Sequence, residues 1–141
     1  MQERMKQLAA DLAIADRMSF LGHREDVPDL LKTADLMLLT SSSEGVPQAI
    51  TQALGLGVPV VATAVGGVPE LVIHEHTGLL VPPEDPLAVA EAMARLADDL
   101  ALATRLGEEG RRHVMAKFSL DAMLDKTEHL YRALLDKKGA S

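Results

Sequence analysis

A short polar segment, residues 41–52 (Ser-Ser-Ser-Glu-Gly-Val-Pro-Gln-Ala-Ile-Thr-Gln), holds the residue types best suited to chemistry in this chain. It follows an apolar run at residues 35–40 that is typical of a buried strand. Pro47 marks the opening of a helix, because proline is well tolerated in a first helical turn. The segment therefore joins the carboxyl end of a strand to the amino end of a helix. In open parallel sheets, ligands bind at that position.

The amino end of this predicted helix favours an anion. The backbone N–H groups of Gln48, Ala49 and Ile50 have no partner within the helix, and the helix dipole makes that end positive. Such an end suits phosphate. Glu44 would then accept hydrogen bonds from hydroxyl groups beside the phosphate, and Gln52 adds a second polar group toward the same cleft. This combination describes a nucleotide-sugar site, whereas the plainer interpretation is a solvated loop with Glu44 on the surface.

Composition restricts the class of protein. The 141 residues are enough for one domain with a core, and a net charge of −7 argues against a nucleic-acid partner. The absence of cysteine excludes disulfide and thiolate chemistry. The sequence has no apolar run of the roughly 20 residues that span a bilayer, and no signal-peptide pattern. We therefore expect a soluble, cytoplasmic domain.

Strand and helix patterns alternate along the chain. Short apolar runs separated by helical patterns predict a parallel sheet that is covered on both faces. The predicted strands are residues 17–21, 36–40, 58–63 and 78–81. The predicted helices are residues 2–15, 28–32, 47–56, 69–72, 86–98, 100–115 and 119–137, followed by a loose tail at 137–141.

Several motifs, in order, resemble the carboxy-terminal domain of the retaining GT-B glycosyltransferases of family four. Residues 44–47 read Glu-Gly-Val-Pro, residues 57–63 Gly-Val-Pro-Val-Val-Ala-Thr, residues 66–72 Gly-Gly-Val-Pro-Glu-Leu-Val and residues 78–83 Gly-Leu-Leu-Val-Pro-Pro. The resemblance covers nearly the whole chain. It implies a domain that binds a nucleoside-diphosphate sugar as donor substrate, with no cofactor and no obligatory metal.

The resemblance also implies roles for individual residues. Glu44 would be the catalytic residue, lying beside the donor sugar, and Gln52 stands where the family has a second glutamate that holds the ribose. Because a neutral group makes a weaker hydrogen bond than a charged one, we expect weaker donor binding instead of its loss. The other implied substrate-binding residues, which line the sugar, the diphosphate or the nucleotide, are Gly45, Val46, Pro47, Gln48, Ala49, Gly66 and Gly67.

The resemblance begins only partway into the family's donor-binding domain. In the family, two further strands and a loop whose Arg and Lys clamp the diphosphate come first. We therefore expect residues 1–141 to form an α/β, partial Rossmann-like doubly wound parallel sheet without those strands, that clamp or the amino-terminal acceptor domain. In such a sheet residues 17–21 have no neighbour, and residues 36–40 become an unpaired apolar edge.

An open edge leaves three arrangements. We expect a homodimer or a strand-exchanged oligomer, because an unpaired edge is a template for another chain. The alternatives are direct pairing of residues 36–40 with residues 17–21 in a four-stranded sheet, or missing pieces supplied by a different chain.

Two functions follow from this interpretation. In the first, the chain is the donor-binding part of a retaining glycosyltransferase and is inactive alone, since clamping the leaving diphosphate is usually a large catalytic contribution. In the second, it is a non-catalytic fragment or designed module that self-associates through its open sheet edge. A receiver domain is a weaker third possibility, because the strand ends offer Thr40 and Thr63 where a phospho-acceptor aspartate is needed.

Four other residues have weaker functional interpretations. His74 and His76 have no third ligand at a recognisable spacing, so we predict no metal site. Glu70 falls in the first turn of a short helix, where an interaction with the helix dipole explains it. His23 follows a predicted strand and either faces the cleft or lies on the surface.

Overall fold

A computed structural model describes residues 2–139 of the chain; Met1, Ala140 and Ser141 lie outside the described residues. The predicted loose tail, residues 137–141, is thus only partly described, and its backbone remains helical to Gly139. The elements are α1 Gln2–Asp11, α2 Val27–Lys32, β1 Met37–Leu39, α3 Gln48–Gly55, β2 Val60–Thr63, α4 Val68–Leu71, β3 Leu79–Val81, α5 Pro86–Asp98, α6 Leu100–Lys117 and α7 Leu120–Gly139.

The three strands form a parallel sheet in the order β1-β2-β3. Met37 pairs with Val60 in the first ladder, and Val61 pairs with Leu79 in the second. The predicted α/β fold with a parallel sheet is therefore confirmed. The prediction of an open edge is also confirmed, since β1 is paired only on its β2 side within the described residues.

The core lies on both faces of β2, whose four residues are all buried. Successive side chains of a strand point to opposite faces, so β2 contributes to two separate clusters. Val60 and Ala62 pack with buried side chains of α3 and α4, whereas Val61 packs with β3, α5 and α6. The sheet is thereby covered on both sides, as doubly wound folds require.

The predicted strand at residues 17–21 is wrong. Ala15–Arg17 form a short 3-10 helix, and the following residues adopt no regular structure. Leu21 is 54% exposed there. A strand is stabilised by pairing with a neighbour, and residues 2–139 supply none to this segment. The alternative four-stranded sheet is therefore not what the described residues form.

The helix α1 is shorter than predicted. It ends at Asp11, and Ala13 adopts a left-handed backbone conformation with φ of 54°. Such a residue just beyond the last turn ends a helix. Among the described residues, α1 buries only Ala9 and leaves Met5 and Leu8 exposed, and Leu12 just after it is exposed as well.

The last helix, α7, likewise lies largely outside the core and exposes several apolar side chains. These are Leu120, Met123, Leu124, Leu130, Tyr131, Leu134 and Leu135. Across residues 2–139, no helix combines the length and the apolar character needed to cross a membrane.

Candidate functional site

The loops that follow β1 and β2 are tied together at the carboxyl edge of the sheet. The hydroxyl of Thr63, the buried last residue of β2, donates to the Ser41 carbonyl oxygen at 2.6 Å. The Ser41 hydroxyl in turn donates to Oε1 of Glu44 at 2.6 Å. A chain of two hydrogen bonds thus links the end of β2 to the half-buried Glu44 carboxylate and restricts its position.

Two glycines allow these loops to meet. The Gly67 N–H donates to the Gly45 carbonyl oxygen at 3.1 Å. Gly66 has φ of +50°, and a Cβ placed on it would lie 1.8 Å from the Glu44 carbonyl oxygen. A Cβ on Gly67 would lie 2.2 Å from the Gly45 carbonyl oxygen. Only residues without a side chain fit, so Gly66 shows both the positive φ and the close approach that the sequence permits.

The amino end of α3 follows directly on this segment, and no side chain among residues 2–139 caps it. The later helices α5 and α6 differ, because Asp85 and Asp99 accept from the N–H groups of Ala88 and Leu102 at 3.0 and 2.9 Å. The open N–H groups of α3 are therefore free to bind an anion. Pro47 lies just before the helix, with extended φ and ψ of −70° and 115°, so its predicted place inside the first turn is wrong by one residue.

The candidate residues of the segment differ in their surroundings. Glu44 and Gly45 contact the Gly66-Gly67 turn, whereas Gln48 and Gln52 are exposed and lie four residues apart on α3. Residues at that spacing lie on the same helical face. The remaining residues of the segment are Val46, which is exposed, Pro47, which is buried, and Ala49, which is half-buried. Their roles toward a donor stay predictions.

A recess of about 270 Å³ lies at the carboxyl ends of the strands and is lined by Thr40, Thr63, Glu84, Asp85, Pro86 and Val89. A larger cavity of about 490 Å³ is lined in part by Asp35, Leu36, Gly57 and Pro59, which precede β1 and β2. This larger cavity is therefore at the amino edge of the sheet. We assign the site to the carboxyl edge, because parallel sheets bind ligands there.

His74 has a structural role that the sequence did not reveal. Its Nδ1 accepts the Leu80 N–H at 3.0 Å, beside the outer edge of β3. Next to it, the Arg95 guanidinium makes a two-pronged ion pair with Glu75 and lowers the pKa of that carboxyl below its usual value. Among the described residues there is no group of three or more potential metal ligands of the His, Cys, Asp and Glu types.

The last two candidates are at the surface. Glu70 is exposed in the first turn of α4, as the dipole interpretation predicts. His23 is exposed in the irregular segment before α2, and it contacts none of the site residues by hydrogen bond in the part of the chain that the structure describes.

Fold and loop geometry together define an α/β domain whose candidate site lies where β1 is followed by α3. Residues 1–113 match the family described as glycosyl transferases group 1, and this chain belongs to that family. The predicted resemblance to the carboxy-terminal domain of the GT-B glycosyltransferases is thereby confirmed.

Individual relatives agree with this assignment. N-acetyl-alpha-D-glucosaminyl L-malate synthase from Bacillus anthracis is 37% identical over 135 residues, 94% of this chain and 35% of that protein. Sucrose-phosphate synthase from Thermosynechococcus elongatus is 36% identical with a TM-score of 0.87, covering 96% of this chain and 34% of that one. Anabaena HepE in complex with UDP and glucose is 26% identical with a TM-score of 0.88, covering 93% of this chain and 36% of that one. The chain thus spans about a third of the length of these relatives.

Proposed function

We propose that the chain is the donor-binding part of a retaining glycosyltransferase, which moves a sugar from a nucleoside-diphosphate sugar to an acceptor. In this proposal the Glu44 carboxylate binds hydroxyls of the donor sugar. The open amino end of α3 receives the diphosphate. Gln52 accepts a ribose hydroxyl through its amide oxygen.

One observation carries the proposal: the Gly66-Gly67 turn lies against the backbone of Glu44 and Gly45, in space that excludes any side chain. This contact fixes Glu44 beside an uncapped helix end. A sugar diphosphate needs two kinds of group: a carboxylate that accepts hydrogen bonds from its hydroxyls, and nearby N–H groups that bind its phosphates. The solved complex of Anabaena HepE with UDP and glucose, at 26% identity, supports a donor of this class.

We further propose that the chain alone transfers no sugar and binds its donor without a metal or cofactor. Catalysis would need cations that stabilise the leaving diphosphate and a second domain that holds the acceptor. The relatives are about three times as long, which leaves room for such a domain in them. An assay of sugar transfer and donor hydrolysis by the purified chain tests this point, and turnover would contradict it.

Restoring an acid at position 52 should strengthen donor binding. In Gln52→Glu, a carboxylate replaces the amide as acceptor of the ribose hydroxyl, and a bond to a charged group is worth about 1 kcal/mol more than a neutral one. We expect the Kd for UDP- or GDP-sugar to fall about fivefold, as measured by calorimetry.

The matched control for this change is Thr104→Glu, which adds a carboxylate at an exposed position of α6, near the amino edge of the sheet. It should leave the Kd unchanged. An equal effect of both variants would show that added charge, and not a contact at position 52, is responsible.

A second candidate function is self-association through the open sheet edge. Two observations favour it: within the part of the chain that the structure describes, β1 pairs only with β2, and α1 exposes Met5 and Leu8. A strand edge of this kind pairs readily with another chain. Self-association and donor binding use different surfaces, so each can be tested while the other fails.

A further inference from the structure

Ser41 connects the carboxylate of Glu44 to the centre of the sheet. Its hydroxyl donates to Oε1 of Glu44 at 2.6 Å, and both residues are half-buried. Its carbonyl oxygen accepts from the hydroxyl of Thr63, also at 2.6 Å. Thr63 ends β2 and is 2% exposed, so this end of the connection belongs to the core. The core therefore holds the backbone of Ser41, and the side chain of Ser41 holds the acid of the candidate site.

A carboxylate held in this way is prepared for a ligand. A glutamate side chain has several rotatable bonds, and fixing it in one conformation costs conformational entropy. Where the protein has already ordered the side chain, ligand binding no longer carries that cost. The bond from Ser41 uses one of the roughly four acceptor positions of a carboxylate. Glu44 can therefore be held by Ser41 and still accept hydrogen bonds from ligand hydroxyls.

We propose that Ser41 is a positioning residue for donor binding, whose hydroxyl presents the Glu44 carboxylate to the donor sugar in a fixed orientation. This inference rests on the proposed function, because it assigns to Ser41 an effect on the affinity for a nucleoside-diphosphate sugar. Ser41 acts through Glu44. Thr63 contributes in the same direction, because its hydroxyl fixes the backbone of Ser41.

A purely structural role for Ser41 would have a different consequence. Serine hydroxyls often stabilise a loop by bonding to a nearby residue. Loss of such a bond would disturb the whole segment, including the amino end of α3 that follows it. The affinity for a nucleoside diphosphate without a sugar would then fall as well. A positioning role affects only the sugar, because Glu44 accepts hydrogen bonds from the sugar hydroxyls.

The test compares, by calorimetry, the Kd values of UDP- and GDP-sugars with those of UDP and GDP alone. In Ser41→Ala the Kd for the sugar donor should rise about fivefold, since the Glu44 side chain must then be ordered on binding. The Kd for the matching nucleoside diphosphate should stay unchanged. Ser41→Thr keeps the hydroxyl and should restore the wild-type value. The matched control is Ser42→Ala, which removes the hydroxyl of the exposed neighbour and should bind as the wild type does.

A second variant keeps the inference testable if Ser41→Ala fails to fold, as judged by circular dichroism. Thr63→Val removes the hydroxyl that holds the Ser41 backbone, and it should weaken binding of the sugar donor in the same selective way. Equal weakening for the sugar donor and the nucleoside diphosphate, or no weakening of either, overturns the inference and leaves the proposed function standing. A wild-type chain that binds no sugar donor overturns both.

Discussion

Replacing Gly66 with alanine should destabilise the protein by about 3 kcal/mol or more, and it should separate the two loops of the site. The added Cβ would lie 1.8 Å from the Glu44 carbonyl oxygen, a backbone atom that cannot rotate away. Relief requires movement of the loop that carries Glu44. We therefore expect donor binding to be lost along with stability, as measured by urea denaturation and calorimetry.

Gly57→Ala is the matched control for this prediction. Gly57 also has a positive φ, +79°, but a Cβ there meets nothing within 4 Å. Alanine at this position is destabilising only because of the left-handed backbone conformation, by about 1–2 kcal/mol. The difference between the two variants isolates the contact between the loops. Equal losses for both would mean that the loops do not approach each other as described.

Replacing Gly107 with alanine should also lower the free energy of unfolding by about 3 kcal/mol, because it disturbs the core and not the site. Gly107 is buried in α6, and its Cβ would lie 2.1 Å from the Gly57 carbonyl oxygen in the turn between α3 and β2. This contact positions a helix that packs on both core clusters, through Leu106 in one and Val114 in the other. We expect a large fall in the midpoint of urea unfolding.

Gly55→Ala tests whether the loss of stability in Gly107→Ala comes from the contact between Gly107 and the Gly57 carbonyl oxygen. Gly55 is the last residue of α3, and a Cβ there meets nothing within 4 Å. Alanine in a helix is favoured over glycine by up to about 1 kcal/mol, so this variant should be neutral or more stable. If Gly107→Ala unfolds at the same urea concentration as Gly55→Ala, the packing of α6 on the turn is wrong.

Much of the fold could be predicted because local patterns determine it. Apolar runs bounded by glycine, proline and acidic residues placed β1, β2 and β3 and most helices to within a few residues. The α/β class and the open edge at β1 followed from their order. These features depend on side chains that are close together in the sequence.

The errors arose where structure depends on distant partners. Residues 17–21 carry a strand-like pattern, but a strand also needs a neighbour, which no local pattern reports. The bond from Thr63 to Ser41 joins residues 22 positions apart, and the bond from Leu80 to His74 uses a side chain that the sequence offered only as a weak metal candidate. In both cases the sequence supplied the chemical group but not its partner.

In the candidate site, too, the sequence predicted the local features but not the contacts between distant residues. The sequence identified Glu44 and the open amino end of α3, and it raised Gly66-Gly67 as a close backbone approach. It did not show that Ser41 links the carboxylate of Glu44 to β2. Because of this link, the carboxylate of Glu44 has a restricted position, although the sequence alone is compatible with a solvated loop.

The central claim is that Glu44 belongs to a nucleotide-sugar site, and calorimetric titration of the chain with UDP- and GDP-sugars tests it most directly. We predict binding with a Kd of about 1 mM or tighter for one donor, and at least about tenfold weaker binding in Glu44→Ala, since a bond to a charged acceptor is removed. The control Glu108→Ala removes the same charge from an exposed position of α6 and should bind as the wild type does. Absence of binding by every donor, or equal Kd values for wild type and Glu44→Ala, would contradict the claim.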